Sequence, residues 1–191
     1  MSIASPWIAR WARFAPAGKV LDLACGMGRH AQLFAGLGHP VLAVDRDASA
    51  LIHAAGENIV TLQLDLEGEG EVLDHQRAEL LRPAQFDVIV VANYLHRPLM
   101  PALLHSLAPG GMLIYETFAA GNEAYGKPSS PAFLLQPGEL IEHAHRAGLR
   151  VLAFEDGFVQ TPKPAMLQRL CAVGPAFPLL NAGLDRFEPP F

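Results

Sequence analysis

The chain has 191 residues, 51% of them hydrophobic and 17% charged, which is a globular balance and enough for one domain with a substantial core. Its formal net charge is -5 and it holds three lysines, Lys19, Lys127 and Lys163. Nucleic-acid backbones are gripped mainly by clustered Lys and Arg, so a large polyanionic partner is not expected and a small substrate is. Two distant cysteines, Cys25 and Cys171, give neither a disulfide framework nor zinc spacing, and no run approaches a membrane span. No signal peptide is evident in the first residues, so a soluble, cytoplasmic protein is expected, with no membrane partner and an open oligomeric state.

Ile3, Trp7, Ile8, Trp11 and Phe14 recur at helical spacing and predict an amphipathic helix within residues 1–17, ending before Pro16. Residues 19–24 predict a strand and residues 29–37 a helix stopped by Gly38. The pattern repeats with a strand at 40–44, a helix at 47–55 with Asp47 as its N-cap, and a strand at 60–64. The acidic stretch 65–75 reads as solvated loop. A strand at 86–91, a helix after Pro98 to residue 107, a turn at "APGG" and a strand at 112–115 follow. Beyond a long polar loop, 116–136, come a helix at 138–147 and two strands, 150–154 and 167–173. A Pro-rich tail, 175–191, shows no periodicity and is expected to be disordered or strapped over the surface.

Alternating strands and helices imply a single α/β domain of residues 1–191, whose core spans 18–174: a mainly parallel, Rossmann-like sheet covered on both faces. Ligands then bind at the carboxyl ends of the strands. Three acids fall there: Asp22 near the end of the first strand, Asp45 after the second and Asp65 after the third. Asp45 lies 19 positions beyond Gly26, close to the offset at which an acid reaches ribose hydroxyls; capping of the next helix is its plainer alternative.

The stretch "DLACGMGRHA" carries Gly26-x-Gly28-x-x-Ala31, which fits a dinucleotide turn. Asp22 discriminates, because a carboxylate beside a diphosphate repels it, whereas one beside an ammonium or sulfonium attracts. No G-K-[ST] follows, so a Walker-type loop is excluded. The ligand reads as a cationic nucleoside.

"VLDLACGMGRHA", then "VLAVDRD", "LQLDLE", "FDVIVVANYLH" and "LAPGGMLIYETF", resembles the class I S-adenosylmethionine-dependent methyltransferases over residues 18–174. The resemblance implies a doubly wound sheet of seven strands in the order 3-2-1-4-5-7-6 with the last antiparallel, and S-adenosyl-L-methionine as cofactor. It further implies that Gly26 and Gly28 admit the methionine moiety, that Asp22 serves its ammonium, and that Asp45 holds the ribose with Arg46 packing on the adenine. Asp65 would accept from the adenine amino group, the Leu66 N–H would meet a ring nitrogen, and Asn93 would lie under the methionine. Ala24 stands where many relatives have glycine. The segments around 93–99 and 115–128 are similar to a bacterial branch loosely related to tellurite-resistance methyltransferases.

Methyl transfer is an in-line displacement that needs alignment, and a base only if the acceptor must lose a proton. After the fourth strand there is no N-P-P-Y or D-P-P-Y; Asn93-Tyr94-Leu95-His96-Arg97-Pro98 stands there instead. His96 is the candidate base, with a helix-start hydrogen bond as its plainer role. Arg97 is the candidate anchor for an anionic acceptor, or else the partner of an acid such as Glu116. Tyr94 completes the catalytic candidates. Glu116, Phe118, Tyr125 and Lys127 are the expected acceptor pocket, and the long loop an active-site lid. His143 and His145, two apart on a helix, face different ways, so no metal site is expected. The competing readings are a nicotinamide-dependent oxidoreductase and a cofactor-binding protein without catalysis.

Overall fold

The computed structural model describes residues 3–182. The N-terminal helix is α1 (Pro6–Ala12). Then β1 (Val20–Leu23), α2 (Arg29–Gly36), β2 (Val41–Asp45), α3 (Ala48–Ala54) and β3 (Ile59–Gln63) alternate. They are followed by α4 (Glu71–Leu80), β4 (Phe86–Ala92), α5 (Met100–His105), β5 (Leu107–Phe118), α6 (Glu139–Arg146), β6 (Arg150–Val159) and β7 (Ala165–Val173). The sheet order is β3-β2-β1-β4-β5-β7-β6. Pairs from β3 to β5 are parallel, and β7 runs antiparallel between β5 and β6. This is the order that the resemblance implies, and it differs from the dinucleotide order 3-2-1-4-5-6.

Two cores cover the sheet. On one face Trp7, Ile8 and Trp11 of α1, Phe34 of α2 and Leu51 of α3 pack on Val20, Val88, Val90 and Ile114. On the other, Leu80 of α4, Met100 and Leu103 of α5 and Leu140 of α6 pack on Leu21, Leu23, Ile89, Val91 and Leu113. Adjacent strand residues alternate between the faces, as the pleat requires.

Three expectations need correction. The acidic stretch is loop only to Gly70; residues 71–80 form α4. The crossover between the parallel strands β3 and β4 takes a helix there, but α4 fully buries only Leu80, so its sequence carries almost no apolar stripe. The "APGG" residues lie inside β5, where the register jumps between Phe86–Leu107 and Val88–Met112. The last strands run longer than predicted, because β6 and β7 form one hairpin closed around residues 160–164. Of the Pro-rich tail, Phe177 is buried and the Ala176 N–H bonds the Pro109 carbonyl at 2.8 Å. Residues 183–191 lie outside the described residues.

Candidate active site

At the carboxyl end of β1 the chain turns through three left-handed residues, Ala24 (φ 54°), Gly26 (φ 54°) and Gly28 (φ 75°). The two glycines have different duties. A Cβ on Gly26 would meet nothing within 4 Å, so its lack of a side chain keeps space open above the turn. A Cβ on Gly28 would strike Ala54 of α3 at 2.5 Å, so Gly28 lets α2 start against α3. Ala24 holds its conformation at a cost of roughly 1 kcal/mol relative to glycine.

The three acids are each held by backbone N–H groups. Asp22, 1% exposed, accepts from the Ala31 N–H at 2.8 Å, in the first turn of α2. Burial raises its pKa to about 7, against the opposing pull of the Ala31 bond and Arg29. Asp45 accepts from Gly26 at 2.7 Å and from Asp47 at 3.0 Å. The cap of α3 is Asp47, which accepts from Ser49 and Ala50, so Asp45 is not spent on capping. Asp65 accepts from Glu67 and Gly68, bonds that hold its carboxyl below the usual range, and its Oδ2 has no hydrogen bond among the described residues. The Leu66 N–H is likewise without a backbone partner there. Asn93 (φ 57°) donates its N–H to the Glu116 carbonyl, which turns the chain back over the strand ends.

A cavity of about 240 Å³ opens at this rim, lined by Ala24, Asp45, Arg46, Leu64, Asp65, Leu66, Glu67, Asn93 and Tyr94; Asp22, Gly26 and Gly28 are not in its wall. Six of its nine lining residues are ones that the sequence singled out for the cofactor. Glu67 and Leu64 were not; they follow from the turn of the chain at Asp65. Tyr94, expected among the catalytic residues, stands in this same wall, with its buried hydroxyl unpartnered.

The acceptor-side candidates do not converge. His96 is half-buried at the start of a 3-10 turn and makes no side-chain cap bond. Arg97 pairs with Glu139 of α6 at 2.7 Å, not with Glu116, and also donates to the Ala132 and Leu134 carbonyls, both at 2.8 Å. Its fork therefore ties the long loop to α6, four hydrogen bonds in all. Glu116, 5% exposed, pairs with Arg169 of β7 at 2.6 Å, and Arg169 reaches Glu155 at 3.0 Å. Tyr115 lies in the core and donates to the Tyr94 carbonyl at 2.8 Å. Phe118 is half-buried, with the Lys163 ammonium 6.0 Å from its ring. Tyr125 is 49% exposed and packs on Phe158 of β6 at 5.1 Å, and Lys127 is exposed beside it. Since β6 lies three strands beyond β4, about 14 Å at the usual spacing, the structure does not bring Tyr125 or Lys127 to the cavity.

The loop is fastened at both ends. Ala120 donates to the Leu135 carbonyl and Leu135 to that of Phe118. Replacing Arg97 by Met is expected to lower stability by about 2 kcal/mol, since a largely buried carboxylate loses its partner. Limited proteolysis should then cut within 120–136, whereas an unchanged cleavage pattern would deny Arg97 this fastening role.

Residues 20–111 match the family model described as a methyltransferase domain. TehB from Haemophilus influenzae superposes with a TM-score of 0.73 at 17% identity, over 91% of this chain and 63% of that one. The chain thus spans less than two thirds of TehB. A TehB-like S-adenosylmethionine-dependent methyltransferase from Corynebacterium glutamicum gives 0.56 at 21% identity, covering 89% of each chain. The glycopeptide N-methyltransferase MtfA in complex with S-adenosylmethionine gives 0.58 at 18%, over 88% of this chain and 86% of that one. No curated protein sequence matches significantly. The matched segment is thus similar to a methyltransferase domain, and the fold is the one that these S-adenosylmethionine-dependent methyltransferases share.

Proposed function

We propose that this protein transfers a methyl group from S-adenosylmethionine to a small-molecule acceptor by in-line displacement. The observation that carries the reading is the cavity at the strand ends, whose wall brings together Asp45 and Asp65, each oriented by backbone N–H groups, with Ala24 and Leu66. Those groups suit a nucleoside: Asp45 a ribose diol, Asp65 an amino group and the Leu66 N–H a ring nitrogen. Asp22, in β1 just before the glycine turn, suits an ammonium. When bound, the cofactor supplies an electrophilic methyl on a sulfonium.

The chain's own contribution is placement. The αL turn at Asn93 brings the backbone of the β4 exit under the ligand, and His96 follows three residues later. The His96 carbonyl accepts from the Leu99 N–H, while its side chain makes no cap hydrogen bond, which leaves the ring as the candidate base for an acceptor that must lose a proton. Arg97, committed to the loop, is not carried forward as a substrate anchor. The small-molecule reading is supported by the net charge of -5 and by the three lysines, a balance poorly suited to gripping a polyanion.

The test is a screen of small thiols, amines, carboxylates and chalcogen oxyanions with methyl-labelled cofactor. With a turned-over acceptor in hand, His96→Ala should cut turnover at least tenfold while leaving S-adenosylhomocysteine affinity within twofold. Equal loss of both would make His96 structural. Failure of every acceptor, with intact cofactor binding, would favour a binding protein over an enzyme.

A further inference from the structure

The sheet ends in two free edges, β3 and β6, and the sequence treats them differently. Along β6 stand Arg150, Glu155 and Asp156, and charge on an edge discourages pairing with another chain. From Asn58 to Leu64, across the whole of β3, there is no charged residue, glycine or proline. Val60 is 67% exposed and Leu62 36%. They share a face with Leu42 and Val44, their register partners in β2. On that face α4 fully buries only Leu80, so the helix does not shield them.

The main chain of β3 alternates in direction. The Asn58 carbonyl accepts from Val41 at 2.8 Å and the Leu64 N–H donates to Asp45 at 3.0 Å, so the even-numbered residues turn toward β2. Ile59, Thr61 and Gln63 then point their N–H and carbonyl groups outward. The Ile59 N–H is taken by the Gly56 carbonyl at 3.2 Å. Those of Thr61 and Gln63 meet no other main-chain group among the described residues.

We propose that β3 pairs antiparallel with β3 of a second copy of this chain, about a two-fold axis at Thr61, joining both sheets into one. An axis there sets Thr61 against its twin, Ile59 against Gln63 and Val60 against Leu62. Thr61 exchanges its hydrogen bonds with its twin, and each Gln63 N–H reaches the Ile59 carbonyl of the other copy. Val60 and Leu62 fall in the closer, non-hydrogen-bonded pair, so each copy's exposed apolar side chains cover the other's. An isologous pair repeats every residue across the axis, so any charge on the strand would be doubled at short range; its absence suits a second copy. Charges enter only at the ends, where Glu57 of the second copy arrives beside Asp65. Arg46 stands there to meet it: its charge already acts on Asp65, and its carbonyl accepts from the Gln63 amide at 3.1 Å. Since Arg46 and Asp65 also line the cavity, the paired edge adjoins the cavity rim of each copy. The surface involved is small, so the dimer is a reversible one that forms at high concentration.

Sedimentation equilibrium of the full chain, from micromolar to millimolar concentration, is expected to show monomer and dimer in exchange. Thr61→Lys and Thr61→Glu each place like charges directly opposite one another across the axis. Each alone should weaken self-association about fivefold. Thr61 is exposed, so neither variant disturbs the core, and thermal unfolding of the dilute proteins checks this. Mixed in equal amounts, the variants set lysine against glutamate and should associate about as tightly as the unaltered protein. Such rescue is particular to an axis at Thr61, because any other register separates the two side chains. A chain that stays monomeric at millimolar concentration overturns the proposal and leaves the edge to another protein's strand or to none. A dimer that neither variant weakens, or a loss that mixing does not restore, overturns it as well.

Discussion

Asp45→Ala is expected to weaken S-adenosylhomocysteine binding by at least about tenfold, since a charge-assisted pair of hydrogen bonds to a diol is lost. The structure adds a second reason for a large effect. Asp45 also receives the Gly26 N–H at 2.7 Å, so its carboxylate fixes the turn over which the ligand would lie. Asp45→Asn separates the two contributions. An amide oxygen can still receive Gly26, but the amide nitrogen cannot accept from a hydroxyl, so affinity should fall to an intermediate value. Calorimetric titration reads the affinities, and thermal unfolding shows whether the variants keep their fold. Unchanged affinity in Asp45→Ala would remove the ribose assignment and leave Asp45 as a loop anchor alone.

The second large effect is a pH dependence centred on Asp22. In the ligand-free protein burial raises its pKa to about 7, so the group is substantially protonated at and below neutrality. An ammonium at its side favours the ionised form and lowers that pKa. Binding therefore releases a proton. Affinity should climb as pH rises toward 7, by up to about tenfold per unit, and level off above it. Asp22→Asn should flatten the profile and hold affinity at a low value throughout, because the amide carries no charge at any pH. Titrations in two buffers of different ionisation enthalpy would count the protons directly. A flat profile in the unaltered protein would mean that Asp22 serves only the Ala31 N–H.

Much of this was legible in the chain, and the parts that were not share a cause. Strands β1, β2, β4 and β5 announce themselves as apolar runs because they are buried on both faces. Asp47 reads as a cap because its partners are two and three residues away. By contrast, α4 lies on the surface with one fully buried side chain, so no apolar period marks it. The partner of Arg97 is 42 residues distant, and nothing local favours Glu139 over Glu116. Tyr125 and Lys127 sit on a loop whose course is set by where Leu135 and Arg97 fasten it, and that course carries them toward β6. The acids at the strand ends were legible because the fold sends every such position to one rim.

Gly28 and Ala54 touch so closely that neither position is free to drift alone. Ala54 is buried, and the space toward Gly28 admits no more than its single methyl. Any enlargement there would have to push the beginning of α2 outward, and with it the N–H that steadies Asp22. The evolutionary latitude of an α3 residue that contacts no ligand is therefore set by the geometry of the turn that does.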